Sequence, residues 1–226
     1  MTELTARVLL VMLYETALDA VDGRYLVNRW CRQNANYESN YFTHCIAIGK
    51  ASVAMLQGAL DSYPSISKSL LVSPASKITR QIRNNKSITV VSSSHPVPDE
   101  SSLAAGQVLL EFVDDIDDKK NVLFLISGGT SSLVEVLIEG ISLEKLQKIN
   151  QYLLASGKDI QQINAWRKRF SKIKGGGLLD YMKTSSVTQL LLSDVKDDRV
   201  DVIGSGLLVD TGTEIEPDEY LSSFLV

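Results

Sequence analysis

Short runs of consecutive apolar residues alternate along the chain with longer segments in which apolar residues recur every three or four positions. Five of the runs are too short for helices and are bounded by polar or glycine-containing segments, as strands buried on both faces are. These predicted strands are residues 44–48, 69–73, 88–92, 122–126 and 188–193. Helical periodicity between them is clearest over residues 53–60, 98–113 and 142–155. The alternation predicts an α/β fold, a Rossmann-like three-layer sandwich with a mostly parallel sheet, in a single domain over residues 1–226.

The N-terminal segment has helical spacing as well. Residues 3–21 place apolar side chains such as Val8 and Met12 among acidic ones, which predicts an amphipathic helix that ends at Asp22-Gly23. A second helical segment is predicted near residues 24–33.

Composition excludes several classes of protein. The chain has 226 residues, a hydrophobic content of 44% and a formal net charge of −4, which leaves no basic surface of the kind that binds nucleic acid. Its apolar runs are shorter than the ~20 residues that cross a bilayer, and the N-terminus lacks the features of a secretion signal. Cys31 and Cys45 have no spacing typical of a disulfide framework or a zinc site. We therefore expect a cytoplasmic protein that binds neither nucleic acid nor membrane.

The strand at 122–126 continues directly into a loop of small and hydroxylic residues. The loop consists of Ser127, Gly128, Gly129, Thr130, Ser131 and Ser132. Glycines allow a tight turn and a close approach of a ligand to the backbone, and the start of a following helix presents N–H groups with partial positive charge. The loop therefore predicts a phosphate or carboxylate site. The alternative is an ordinary strand-to-helix turn in which Ser131 or Ser132 caps the helix.

Three further residues follow predicted strands, where open α/β sheets place their ligands. Lys50 comes just after the first strand, and a solvated lysine is its alternative. His95 follows the third strand in a loop stiffened by two prolines, where contact with a ligand and a hydrogen bond within the loop are equally consistent. Asp194 follows the last strand and is suited to hold Mg²⁺, which prefers one or two carboxylates plus phosphate oxygens. Capping of the next turn is its alternative.

A cationic cluster stands out in this acidic chain. Its five members are Arg167, Lys168, Arg169, Lys172 and Lys174. Three glycines follow, at positions 175–177. The cluster fits a site for a multiply charged anion, where lysine supplies point charge and arginine a planar fork. A basic helix face that ends at a glycine cap is the alternative.

Taken together, these segments resemble the type-2 glycerate kinase family (glycerate 2-kinase), specifically its N-terminal, MOFRL-associated domain. The resemblance is strongest over residues 15–210. It is carried by Ile48–Ala51, His95–Glu100, Leu125–Gly129, Leu153–Gly157, Ile163–Asn164, Arg167–Lys168, Lys172–Gly176, Leu191–Val195 and Ile203–Gly206. Each segment alone is a weak signal, but nine in the family's order are specific.

The resemblance implies phosphoryl transfer from ATP, with Mg²⁺, to a hydroxyl of D-glycerate or a similar small hydroxy acid. It implies that Lys50 and Asp194 are catalytic, that Asp194 holds the metal, and that the Ser127–Ser132 loop binds the phosphates of the nucleotide. The substrate- and anion-binding residues that it implies are His95, Asn164, Arg167, Lys174, Gly175 and Gly176.

The chain also departs from the family pattern. Thr130 and Ser132 replace the third glycine and the alanine of the family's loop, and a β-branched residue is strained where φ is positive. The chain ends near the point where the family's smaller C-terminal MOFRL domain begins, so we expect full activity to need a separate C-terminal polypeptide or a homo-oligomer. A non-catalytic paralogue that binds an anion or nucleotide, as a partner or sensor, is the alternative. A dehydrogenase is disfavoured because no Gly-x-Gly-x-x-Gly follows an early strand.

Overall fold

A computed structural model describes residues 3–34, 37–209, 212 and 214–225. Five strands form one sheet in the order β3-β2-β1-β4-β5, and every neighbouring pair is parallel. The strands are β1 His44–Ile48, β2 Lys68–Pro74, β3 Ile88–Ser93, β4 Val122–Ser127 and β5 Val187–Leu192. Each predicted strand is present to within one residue at either end, so the predicted parallel α/β fold is confirmed.

Helices pack on both faces of this sheet. In the described ranges they are α1 Glu3–Ala20, α2 Gly23–Gln33, α3 Ser52–Ser62, α4 Arg80–Arg83, α5 Glu100–Asp114, α6 Thr130–Leu133, α7 Leu143–Ala155, α8 Ile160–Arg169 and α9 Glu219–Ser222. Asp99 and Ser142 cap α5 and α7 by accepting hydrogen bonds from N–H groups of the first turn. None of the described helices is long and apolar enough to cross a membrane.

The first helix is present but is not amphipathic. Its described side chains are exposed, with Leu10, Leu13 and Tyr14 each more than half accessible. Apolar residues follow one another from Val8 to Tyr14, so they surround the helix instead of forming one stripe. Asp22 begins α2, because its carboxylate accepts hydrogen bonds in the first turn of that helix.

The three central strands, β1, β2 and β4, bury side chains on both faces, which explains their continuous apolar sequence. On one face, Ile46 and Phe124 belong to a core that includes Leu109 of α5. On the other face, Ala47 belongs to a core that includes Leu56 of α3. With both faces covered, the edge at the carboxyl ends of the strands is the part of the sheet where polar groups can collect.

The strand order reverses between β1 and β4, and this reversal positions the site. From β1 the sheet runs through β2 to β3, whereas from β4 it runs to β5, so the loops that follow β1 and β4 leave a crevice between them. Ile48 pairs with Ile126, and residues 49–51 therefore leave the sheet beside residues 127–132. The first glycine of this crevice, Gly49, has a φ of +129°, and a Cβ there would overlap the Ser127 hydroxyl.

Candidate active site

Two buried hydroxyl groups tie the ends of β1 and β4 together. Ser127 Oγ accepts a hydrogen bond from the Ala51 N–H at 3.1 Å, and the Lys50 N–H donates to the Gly128 carbonyl at 2.9 Å. Thr130 Oγ1 donates to two main-chain carbonyls at the strand ends, at 2.8 and 2.9 Å. The Ser127 and Thr130 hydroxyls thus shape the crevice, and the loop's other groups are the ones that can meet a ligand.

Gly129 takes the strained conformation of the loop. Its φ is +89°, and a Cβ there would lie 2.8 Å from His95 Cδ2 and 3.1 Å from Lys50 Cγ. Thr130 is the first residue of α6 and has no positive φ, so the strain expected for a β-branched residue does not arise. The Cβ position of Gly129 is therefore in contact with both predicted residues, His95 and Lys50.

The helix after the loop is a single turn. The backbone is extended again at Val134, so the helix expected to follow the loop ends after one turn. Gly129 occupies the capping position, which the sequence interpretation gave to Ser131 or Ser132 as an alternative. With so short a helix, an anion at the loop would be bound by individual N–H groups and not by the dipole of a long helix.

The loop leaves main-chain donors available. Among the described residues, no acceptor is paired with the N–H groups of Gly128, Gly129, Thr130 and Ser131. The turn itself uses the next two N–H groups, those of residues 132 and 133, both of which donate to the Gly129 carbonyl. Successive N–H groups without an acceptor form the kind of concavity that binds anions.

Lys50 and Asp194 meet at the mouth of the crevice. Lys50 Nζ lies 3.4 Å from Asp194 Oδ2, and the two side chains are 47% and 52% exposed. A Cβ at Gly128 would overlap the Asp194 carboxylate, so this carboxylate lies over the loop backbone. An ion pair this exposed contributes little to stability, which leaves both groups free to change partners when a ligand binds.

A pocket of about 200 Å³ opens beside Gly129. It is lined by His95, Pro96, Pro98, Gly129, Ser131, Ser132, Glu135, Leu146, Asn150, Arg167 and Lys174. Arg167 and Lys174, the two ends of the predicted cationic cluster, are thus brought together with the loop.

Arg167 is the cation that faces this pocket without a carboxylate partner. Its Nε donates to Asn150 Oδ1 at 2.9 Å, and among the described residues it forms no ion pair. Burial lowers the pKa of the Arg167 guanidinium, although a guanidinium remains charged at any physiological pH. Asn150 therefore fixes a guanidinium whose remaining donors are available to an anion.

Lys174 has a partner, in contrast. Its ammonium group contacts Glu135 Oε2, and the two side chains are only 4% and 2% exposed. Glu135 Oε1 accepts a hydrogen bond from the Val136 N–H at 3.1 Å. Both carboxylate oxygens are therefore occupied, and the ion pair is part of the pocket wall.

The other predicted residues are held away from the pocket. Asn164 lies one turn before Arg167 on α8 and does not line it. Gly175 and Gly176 donate their N–H groups to the carbonyls of Ser205 and Gly206, at 3.0 and 2.7 Å. The two glycines therefore fasten the segment after Lys174, and their N–H groups are not available to a substrate.

The middle of the cationic cluster is also engaged elsewhere. Lys168 forms a largely buried ion pair with Asp201, with Nζ 3.7 Å from Oδ2. Arg169 and Lys172 are exposed. The cluster thus divides into two pocket residues, one residue in a structural ion pair and two solvated residues.

The fold and the site define an α/β protein with a polar pocket and free main-chain donors at its switch point. Residues 9–221 match the family described as "Domain of unknown function (DUF4147)", and the chain belongs to this family. It is similar to the D-glycerate 2-kinase of Thermotoga maritima, with 40% identity over 162 residues, 71% of this chain and 38% of the relative. The glycerate 2-kinase of Pyrococcus horikoshii is 34% identical over 208 residues, 90% of this chain and 44% of the relative.

A solved structure of glycerate kinase from Thermotoga maritima has the same fold. Its TM-score is 0.81 at 30% identity, and the match covers 98% of this chain and 55% of that one. The resemblance to glycerate 2-kinases is therefore confirmed by sequence and by structure. The chain spans less than half the length of the two curated relatives.

Proposed function

We propose that the chain acts as a glycerate 2-kinase-like protein, which transfers a phosphoryl group from ATP to a hydroxyl of D-glycerate or a similar small hydroxy acid. The observation that carries this proposal is the position of Gly129. Its Cβ position lies 3.1 Å from Cγ of Lys50, which pairs with Asp194, and Gly129 also lines the pocket that contains Arg167. In this proposal the region of Lys50 and Asp194 is the phosphate site and the pocket is the acid site, and they lie next to each other.

In this proposal the nucleotide phosphates bind the N–H groups of Gly128–Ser131, and Lys50 supplies positive charge beside them. The carboxylate of the hydroxy acid binds Arg167, which Asn150 holds in place. The substrate hydroxyl then lies near the loop, in reach of the transferred phosphoryl group. Phosphoryl transfer needs mainly this positioning and positive charge around the transferred group.

Asp194 is the residue proposed to bind Mg²⁺. In the part of the chain that the structure describes, no three acidic, histidine or cysteine side chains cluster as a metal site. One carboxylate is nevertheless sufficient for a Mg²⁺ ion that arrives with a nucleotide, because phosphate oxygens and water complete its coordination. When bound, the ion neutralises charge on the phosphates.

The proposal includes a second protein surface that closes the transfer site, supplied by a C-terminal polypeptide or by a second copy of this chain. Lys50 and Asp194 are about half exposed, so water reaches the place where the phosphoryl group would be transferred. Efficient transfer requires that water be excluded.

The same exposure favours the second candidate, a non-catalytic paralogue that binds an anion or nucleotide as a partner or sensor. The free thiols Cys31 and Cys45 are consistent with a cytoplasmic location for either candidate.

An amide titration tests the nucleotide site. Addition of ATP with Mg²⁺ to the isotope-labelled chain is expected to shift the amide resonances of Gly128, Gly129 and Ser131, because their N–H groups gain phosphate acceptors. AMP, which lacks the β- and γ-phosphates, serves as the control and should cause smaller shifts. Loop amides that stay unperturbed at saturating nucleotide would count against the proposal.

A second measurement tests the acid site. Arg167→Gln is expected to weaken D-glycerate binding roughly 30-fold or more, because a desolvated charge pair between guanidinium and carboxylate is lost. Arg169→Gln is the matched control, since Arg169 belongs to the same helix but is exposed. Calorimetric titration with D-glycerate measures both. Equal affinities for the two variants would place the acid elsewhere.

A further inference from the structure

Three charged side chains line the pocket, and they do not contribute equally. Glu135 and Lys174 form a nearly fully buried ion pair, whose charges cancel. Arg167 contacts a neutral amide, that of Asn150. His95 lines the outer part of the pocket and is exposed. With a neutral histidine, the wall of the pocket therefore carries a single net positive charge.

Glu135 is the residue that limits the wall of the pocket to a single net positive charge. Without its carboxylate, Lys174 and Arg167 would present two positive charges to a ligand. The carboxylate is immobilised, because Oε1 is bound to the Val136 N–H while Oε2 is bound to Lys174. Its charge is also poorly screened, since only 2% of the side chain reaches solvent.

We propose that Glu135 is a specificity-determining residue, which holds the pocket at one net positive charge and so selects a small monoanionic acid over a dianionic one. The inference rests on the proposed function, because it takes the pocket as the site of the hydroxy acid. A dianion would bring a second negative charge into a pocket that has one uncompensated cation. The fixed Glu135 carboxylate would repel that second charge. Discrimination by charge balance of this kind depends on repulsion of the wrong ligand as well as on attraction of the right one.

The test compares two acids that share a hydroxyl group on the central carbon. D-glycerate is a monoanion, and tartronate carries a second carboxylate. Titrations are run at pH 8, where histidine side chains are generally neutral. The 226-residue chain is expected to bind D-glycerate more tightly than tartronate. Glu135→Gln should move the ratio of the two dissociation constants towards tartronate by about tenfold or more, the effect of one charge at close range.

A merely structural role for Glu135 predicts a different result. Loss of packing would weaken the binding of both acids equally and leave the ratio of their dissociation constants unchanged. That result would overturn the inference. If the wild-type chain binds neither acid, the proposed function itself fails. D-glycerate binding without a shift of the ratio in Glu135→Gln rejects only the role of Glu135.

A double variant keeps the test valid where the single variant does not fold. Glu135→Gln leaves Lys174 buried without a partner, whereas Glu135→Gln/Lys174→Met removes both charges, which proteins often tolerate. Because the pair contributes no net charge, the double variant should keep the preference for D-glycerate, with a ratio within about threefold of wild type. A double variant that prefers tartronate would contradict the inference.

Discussion

Replacement of Lys50 by methionine is expected to lower phosphoryl transfer to D-glycerate roughly 10³-fold while the chain remains folded. Lys50 is the cation beside the free N–H groups of the loop, so it is placed to meet charge on the transferred group. Its only described partner is the exposed Asp194 carboxylate, so the loss of this contact costs little stability. Methionine keeps the length and most of the apolar stem of lysine.

The assay measures ADP formation with D-glycerate present. The chain is used alone and mixed with a separately expressed polypeptide, namely the part of the Thermotoga maritima D-glycerate 2-kinase outside the region matched here. Lys68→Met is the control, because Lys68 forms an exposed ion pair with Asp115 at the start of β2, away from the loop. Equal rates for the two variants would remove Lys50 from the mechanism.

The chain alone is expected to bind both ligands but to turn over slowly. Its half-exposed Lys50 and Asp194 leave the transfer site open to water. Ordinary kinase turnover by the isolated 226-residue chain, abolished by Lys50→Met, would show that no second protein surface is needed to close the transfer site. Binding without turnover under every condition, including with the added polypeptide, would favour the non-catalytic candidate.

Gly49→Ala is expected to lower the free energy of unfolding by at least about 3 kcal/mol, from backbone strain and steric overlap together. The φ of +129° at Gly49 is a conformation that side chains rarely adopt. A Cβ would also overlap Ser127 Oγ and lie 2.7 Å from the Ser127 carbonyl oxygen, both part of the buried junction between β1 and β4. The Ser127 hydroxyl could rotate away, but the Ser127 carbonyl is main chain, so the remaining overlap can be relieved only by moving the strands apart.

Thermal unfolding measures this effect. For a chain of this size, the loss corresponds to a decrease in Tm of about 6–12 °C. Gly140→Ala is the matched control, because Gly140 also has a positive φ, of +82°, but no atom lies within 4 Å of its Cβ position. The free energy of unfolding of the control should decrease only by the contribution of backbone strain, about 1–2 kcal/mol. If the Tm decreases equally in both variants, packing at the strand junction is not the reason that position 49 requires glycine.

Parts of the site could be predicted because they follow from the parallel sheet. Lys50, His95, the Ser127–Ser132 loop and Asp194 each follow a strand directly, and the carboxyl ends of parallel strands share one edge. That they share one edge of the sheet therefore follows from the strand assignments alone. The roles of individual side chains within the loop were not predictable, because the hydroxyls of Ser127 and Thr130 turn inward to main-chain carbonyls and amides of the neighbouring strand.

Other parts depended on contacts between distant segments. Glu135 has no local signal in an apolar stretch, and its partner Lys174 is 39 residues away. Asn150 resembles any exposed helix residue until α7 and α8 pack and bring it to Arg167. The glycines at 175 and 176 resemble an anion loop in the sequence, but their N–H groups are taken by the turn at 203–206.

The amino-acid sequence by itself determined the strands, most of the helices, the glycine-rich loop and the edge of the sheet where the site lies. These are properties of contiguous residues, namely the period of apolar side chains and the conformational freedom of glycine. Only the tertiary structure decided the strand order, the division of the cationic cluster and the ion pair of Glu135 with Lys174. It also decided that α1 leaves its apolar surface uncovered in this chain. Each of these depends on which segments pack together, and packing is chosen by the free energy of the whole fold, so no short stretch of sequence records it.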